Sequence, residues 1–161
     1  MKNISQKSSF MTHAAMIAAI YVVLTYIFAP FSFGDVQVRI AEALTVLPIF
    51  TSAAIPGLFI GCLIGNILGG AILPDIIFGS LATLIGAVFT YLLRKKSQFL
   101  CVLPPIISNT VIVPLILKFA YGMNLPIALL MFTIAIGEII SCGMLGLILY
   151  YALRKYRKVI F

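Results

Sequence analysis

Residues 74–96, PDIIFGSLATLIGAVFTYLLRKK, decide the fold. From Pro74 to Leu93 the run holds a single charged residue, Asp75, at its start, and it stops abruptly at Arg94-Lys95-Lys96. A helix needs about 20 mostly apolar residues to cross a hydrocarbon core of about 30 Å. A cationic stop beside such a run is how a bilayer protein records its orientation. The surroundings expected for this stretch are lipid, not water.

Working outward, the rest of the chain repeats the pattern. The 161 residues are 63% hydrophobic and 9% charged, with a mean hydropathy of +1.20. A soluble domain is closer to half apolar and a quarter charged, and so small a globule lacks the interior to hide this much apolar side chain. Five further membrane segments are predicted: Ser9 to Ala29, stopped by Pro30; Gln37 to Ser52, short and kinked or partly embedded because of Pro48; Pro56 to Gly69-Gly70; Pro104-Pro105 to Phe119; and Pro126 to Leu153. The expectation is an all-α integral membrane bundle of six transmembrane helices. It forms one membrane domain over residues 1–161, with no soluble domain. Lys2 and Lys7 before the first run suggest a signal peptide. That run leads straight into more membrane segments without a small-x-small cleavage site, so it reads as a retained first helix.

Charge placement fits six crossings. The formal charge of +7 sits almost wholly in Lys2 and Lys7, in Arg94-Lys95-Lys96, and in Arg154-Lys155-Tyr156-Arg157-Lys158. With six helices all three clusters fall on one side, and the positive-inside rule puts both termini in the cytoplasm of a multi-pass protein of the cell membrane. No polar domain remains on which a nucleic-acid site could be built. Lys118 is expected to snorkel to the outer interface.

The residues present suit catalysis badly. His13 is the single histidine, Cys62, Cys101 and Cys142 are scattered, and there is no CxxC, HExxH or GxxxxGK[ST]. No metal site, cofactor or intrinsic ATPase is therefore expected, and the cysteines read as small hydrophobes. Small residues mark close packing instead: Gly57, Gly61, Gly65 and Gly69 form a stripe, and Ala14/Ala18 and Ala15/Ala19 repeat its spacing in the first helix. Such stripes serve packing within the monomer or docking of a partner.

Polar groups are expensive in this setting, which makes the four acidic residues informative: Asp35, Glu42, Asp75 and Glu138. Glu138 lies near mid-membrane, where a carboxylate costs about 2.5 kcal/mol or more and normally marks function. Asn66 and Asn109 are buried amides that need partners. Arg39 and Glu42, three apart, share a face and either neutralise each other or meet a ligand. Asp35 reads as a turn residue. Asp75 reads as a first-turn carboxylate favoured by the helix dipole or as a member of the site. With Gln37 and the aromatics Phe31, Phe33 and Tyr121, these groups converge on the outer half of the bundle. They suit a small, flat, hydrogen-bonding solute.

Residues 31–56, FSFGDVQVRIAEALTVLPIFTSAAIP, with GLFIGCLIGNILGG (57–70) and DIIFGSLATLIGA (75–87), resemble the QueT family. These are substrate-binding S components of energy-coupling factor (ECF) transporters linked to queuosine precursors. The resemblance covers most of the chain, with QVRIAEALTVLP its most specific part. It implies capture of a 7-deazaguanine, such as the pre-queuosine-1 base or queuine, from outside. It also implies docking, through the small residues Ala14, Ala15, Ala18 and Ala19, on a membrane coupling protein driven by two ABC-type ATPases. In that setting Glu138, with Glu42 as rival, accepts the ring's N1–H and amine, and the second carboxylate neutralises an aminomethyl cation. Asn66 and Asn109 complete the ring's bonds, Phe31, Phe33 or Tyr121 stacks on it, and Asp35 and Gly69 to Pro74 belong to an outer lid. Two other readings keep the six helices: an S component for a flavin, thiamine or folate, and a self-sufficient proton-coupled carrier with Glu138 as relay. A purely structural protein would not need the buried Glu138.

Overall fold

The longest apolar runs form the longest helices. The structure, a computed structural model, describes residues 2–32 and 37–156. Within these it is all-helical, with α1 over Lys2–Ile27, a short α2 over Ala29–Ser32, and a 3-10 segment over Ile40–Ile49. There follow α3 over Ala54–Leu68, α4 over Leu73–Leu93, α5 over Gln98–Phe119 and α6 over Ile127–Glu138. The last of these runs on through a π segment, Ile139–Leu145, into α7 over Gly146–Arg154. Among the described residues, four spans are long and apolar enough to cross a membrane: Gln6–Ile27, Leu73–Leu93, Gln98–Phe119 and Ile127–Arg154. Their outer faces carry Met16, Ile20, Val23, Phe78, Phe89 and Phe132 in exposed positions, while Glu42, Asn66, Thr83 and Asn109 are buried. Apolar outside and polar inside is the arrangement that suits lipid.

The second predicted helix is corrected most. Instead of a span from Gln37 to Ser52, Arg39 is an extended N-cap and the helix is a 10-residue 3-10 segment, about 20 Å long. Every residue from Ala41 to Ile49 is buried, because α1, α3, α4, α5, the π segment and α7 all pack around it. A segment enclosed on all sides shows no amphipathic stripe. Its tighter coil also tolerates Pro48 near its end. At its C-terminal end Phe50 stacks on Tyr150, ring centroids 5.4 Å apart.

The glycine stripe settles against α1. A Cβ on Gly57 would come within 2.7 Å of the Ala14 carbonyl, and one on Gly61 within 2.8 Å of Tyr21 Cβ. Further along, one on Gly65 would meet Thr25 at 3.2 Å. The contacts run in register, so α1 and α3 are parallel neighbours packed backbone to backbone. The turn after α3 reverses the chain into α4, and Gln98 Nε2 donates to Tyr151 Oη at 3.0 Å, joining the start of α5 to α7. Lys7, Arg94–Lys96 and Arg154–Lys155 thereby gather at one end of the bundle.

α5 begins at Gln98, six residues before the predicted Pro104-Pro105 start, and carries Pro104, Pro105 and Pro114 inside it. Pro105 has no N–H for the carbonyl of Cys101, four residues back. Thr90 Oγ1 of α4 supplies that bond at 2.8 Å, the kind of side-chain rescue that lets proline sit within a membrane helix. Gly86 leaves room for the close approach, since a Cβ there would lie 2.7 Å from Pro105 Cα. Thr90→Val is expected to keep the packing but leave the carbonyl bare. It should lower stability by about 0.6 kcal/mol, an ordinary intramembrane hydrogen bond, as read by denaturant titration in detergent micelles.

Candidate functional site

The enclosed 3-10 segment carries polar groups into the centre of the bundle, where the surrounding helices meet them with polar groups of their own. Tyr21 Oη from α1 donates to Glu42 Oε1, and Thr83 Oγ1 from α4 donates to the same oxygen at 3.1 Å. Thr83 also lies 3.4 Å from Cys62 Sγ of α3. One turn toward the start of the segment, Arg39 Nη2 donates to Asn66 Oδ1, and Asn66 Nδ2 donates to the Asp75 carbonyl at 3.4 Å. The Asp75 side chain accepts from Tyr121 Oη at 3.1 Å, and Tyr121 Oη in turn accepts the Ile72 N–H at 3.3 Å. Burial raises the pKa of the Tyr121 phenol above its ordinary value.

The second half of the cluster is built on the last helix. Glu138 ends α6 where the π segment starts, and π turns often mark functional sites. Glu138 Oε1 accepts from Asn109 Nδ2 of α5 at 3.0 Å. Glu138 Oε2 accepts from the thiol of Cys142 at 3.1 Å. Cys142 Sγ also lies 3.4 Å from Thr45 Oγ1, which ties the π segment to the 3-10 segment. One ligating atom each from Glu42, Glu138 and Cys142 lie within 4.8 Å of one another. All three residues are buried.

The residues expected from the sequence are therefore distributed as follows. Arg39, Glu42, Asn66, Asp75, Asn109 and Glu138 are buried in this cluster, and half-exposed Tyr121 caps its outer end. Gln37 joins through its backbone: a Cβ on Gly137 would collide with the Gln37 carbonyl, so that glycine lets the chain before the 3-10 segment lie on α6 beside Glu138. Phe33, Asp35 and the side chain of Phe31 lie outside the described residues. Lys118 Nζ donates to the Leu125 carbonyl at 3.2 Å. The four alanines separate: Ala18 is buried and Ala14 half-buried against α3, whereas Ala15 and Ala19 are exposed.

One expectation changes: Cys62 and Cys142 do not behave as plain hydrophobes, because both take part in the polar network. The fold also brings the Cys142 thiol and two carboxylates together, a meeting of three that their spacing in sequence does not suggest. Tyr21, Thr83, Cys62 and Cys142 join the site without having been expected there. Spacing offered a signal for three of them: Cys62 precedes Asn66 by four, Cys142 follows Glu138 by four, and Thr83 follows Gly79 by four on a small-residue face.

An apolar-surfaced helical bundle around a connected polar core, with four helices long and apolar enough to cross a bilayer among the described residues, is the build of a multi-pass membrane protein. The profile of the QueT transporter family matches residues 11–155, and the chain belongs to that family. A curated relative from Lactococcus lactis subsp. cremoris (strain MG1363), named queuosine precursor transporter QueT, is 37% identical over 73 residues. That match spans 44% of this chain and 43% of the relative, less than half of each. No solved structure matches.

Proposed function

We propose that this chain is the substrate-capture S component of an ECF-type importer for a queuosine precursor. The substrate class is a 7-deazaguanine such as the pre-queuosine-1 base or queuine, taken from outside the cell. The observation that carries the reading is the continuous buried network from Tyr121 and Asp75 through Asn66 and Arg39, with Glu42 and Glu138 beyond. It supplies donors and acceptors for a flat heterocycle inside the bundle. Family membership and the name of the relative point to the same class of solute.

In this reading the chain is a single membrane domain of six crossings. The enclosed 3-10 segment and the 15-residue α3 count as two of them. The basic end faces the cytoplasm, as the positive-inside rule requires, and Tyr121 and Asp75 face outward. Glu42 and Glu138 accept the ligand's donors, while Asn66, Asn109, Arg39 and Gln37 complete its hydrogen bonds. One aromatic of the set Phe31, Phe33 and Tyr121 stacks on the ring. The chain is no enzyme, and ATP hydrolysis belongs to two ABC-type subunits reached through a coupling protein docked on α1.

Calorimetric titration of the detergent-purified chain with the pre-queuosine-1 base, queuine and guanine tests this. Binding of a deazapurine at micromolar affinity or better, about −8 kcal/mol, with uptake that needs the ATPase subunits, is the expected result. Failure of all three to bind folded protein would end the assignment. Uptake into vesicles without any ATPase would make the chain a self-sufficient carrier.

A further inference from the structure

Among the described residues, the two central carboxylates are unequally satisfied. Glu42 Oε1 already receives Tyr21 and Thr83, while Glu42 Oε2 is buried and has no hydrogen-bond partner. Glu138 holds one donor on each oxygen, Asn109 on Oε1 and Cys142 on Oε2. One atom from each carboxylate and the Cys142 sulfur sit within 4.8 Å of one another. Two carboxylates this close in an apolar interior would repel each other wherever both are ionised, and a buried oxygen without a donor is a cost in any state. A single compact cation with several N–H donors relieves both.

We propose that Glu42 and Glu138 form a seat for a primary ammonium group, the aminomethyl arm of a 7-deazaguanine, and not for the edge of its ring. This rests on the reading of the chain as a capture subunit for queuosine precursors, and it names which precursor the site selects. The distances fit. A charge-assisted N–H···O bond is about 2.8 Å long, so one nitrogen spans oxygens up to about 5.6 Å apart and reaches both carboxylates here. Its third N–H faces Cys142 Sγ, a weak acceptor. A guanine edge fits less well. Its two parallel donors want both oxygens of one carboxylate, and Glu42 Oε1 is already filled by two hydroxyls. On Glu138 alone the ring edge would leave Glu42 Oε2 bare.

The test uses the intact wild-type chain in detergent and three 7-deazaguanines that differ only at the arm: aminomethyl, cyano and unsubstituted. The aminomethyl compound is expected to bind about 10- to 100-fold tighter than the other two, the range for hydrogen bonds to a charged group. Glu42→Gln and Glu138→Gln should each remove that preference, bringing the aminomethyl compound down toward the affinity of the other two. The amide introduced by Glu42→Gln would still offer an oxygen to Tyr21 and Thr83, and the wild-type comparison stands even if a variant misfolds. Equal binding of the three ligands by wild type overturns the ammonium seat while deazapurine capture survives. Equal weakening of all three in both variants assigns the carboxylates to the ring edge and also overturns it. Binding of none of them, in folded protein, removes the capture reading itself. Zinc chloride that binds wild type and displaces the aminomethyl compound, with no preference among the arms, makes the cluster a metal seat instead.

Discussion

Gly137→Ala is expected to abolish ligand binding although it adds one methyl group to a residue with no side-chain chemistry. The added Cβ would collide with the backbone carbonyl of Gln37 and lie 2.9 Å from its carbonyl carbon. Neither atom is the end of a flexible side chain, so the peptide must move. That peptide leads directly into Arg39 and the start of the 3-10 segment, and Gly137 itself precedes Glu138. A shift of about an ångström there separates the two halves of the polar cluster, and misplacement on that scale is costly at a preorganised site. Binding should weaken by about 100-fold or more, the loss of one or two hydrogen bonds to charged groups. Overpacking should lower stability by about 1–3 kcal/mol. Gly143→Ala is the control from the same helix, since its Cβ would meet only Ile139 and Ile106 at 3.8 and 3.9 Å. Calorimetry on both proteins, with thermal unfolding in the same detergent, separates the outcomes. Wild-type affinity in Gly137→Ala would mean that the Gln37–Gly137 contact does not position the site.

This contact also shows where reading the sequence stops. α4 was legible almost to the residue, Leu73–Leu93 against the expected Pro74 to Leu93, because lipid demands a long apolar run and the basic stop is unmistakable. The 3-10 segment was not legible as such. Hydropathy registers burial in lipid and burial in protein alike, so IAEALTVLPI (40–49) reads as a short span although helices enclose it. α5 was mistaken at its start because prolines end helices in water, while here Thr90 and Gly86 accommodate Pro105. The site residues were legible one by one, since a carboxylate or amide in apolar sequence stands out. Their pairing was not. Nothing local joins Asn109 to Glu138 or Tyr21 to Glu42, partners separated by 29 and 21 positions. The π segment that sets Cys142 against Glu138 has no sequence signature at all.

Ala15→Leu with Ala19→Leu should leave ligand binding intact and stop uptake, the reverse of a site mutation. All four alanines line a groove of about 700 Å³ on the outer surface, together with Ile60 and Ile64 of α3. They do not serve the fold equally. Ala18 packs under Gly61, where its Cα and carbonyl lie 3.1 Å from any added Cβ, so a larger residue there forces α1 from α3 and costs about 1–3 kcal/mol. Ala15 and Ala19 face outward, and enlarging them disturbs nothing within the chain, so stability should stay within about 0.5 kcal/mol. What they close is the hollow into which a partner helix would settle, where small residues allow the approach that drives association in lipid. The doubly substituted chain should therefore titrate like wild type in detergent and fail in vesicles that carry the ATPase subunits. Ala18→Leu should lose binding and uptake together. If the double variant transports normally, α1 is not the docking face of the proposed coupling protein. The apolar groove between α4 and α5, lined by Phe78, Ile85 and Leu115, becomes the next face to block, since it too lies on the lipid side without a small-residue floor.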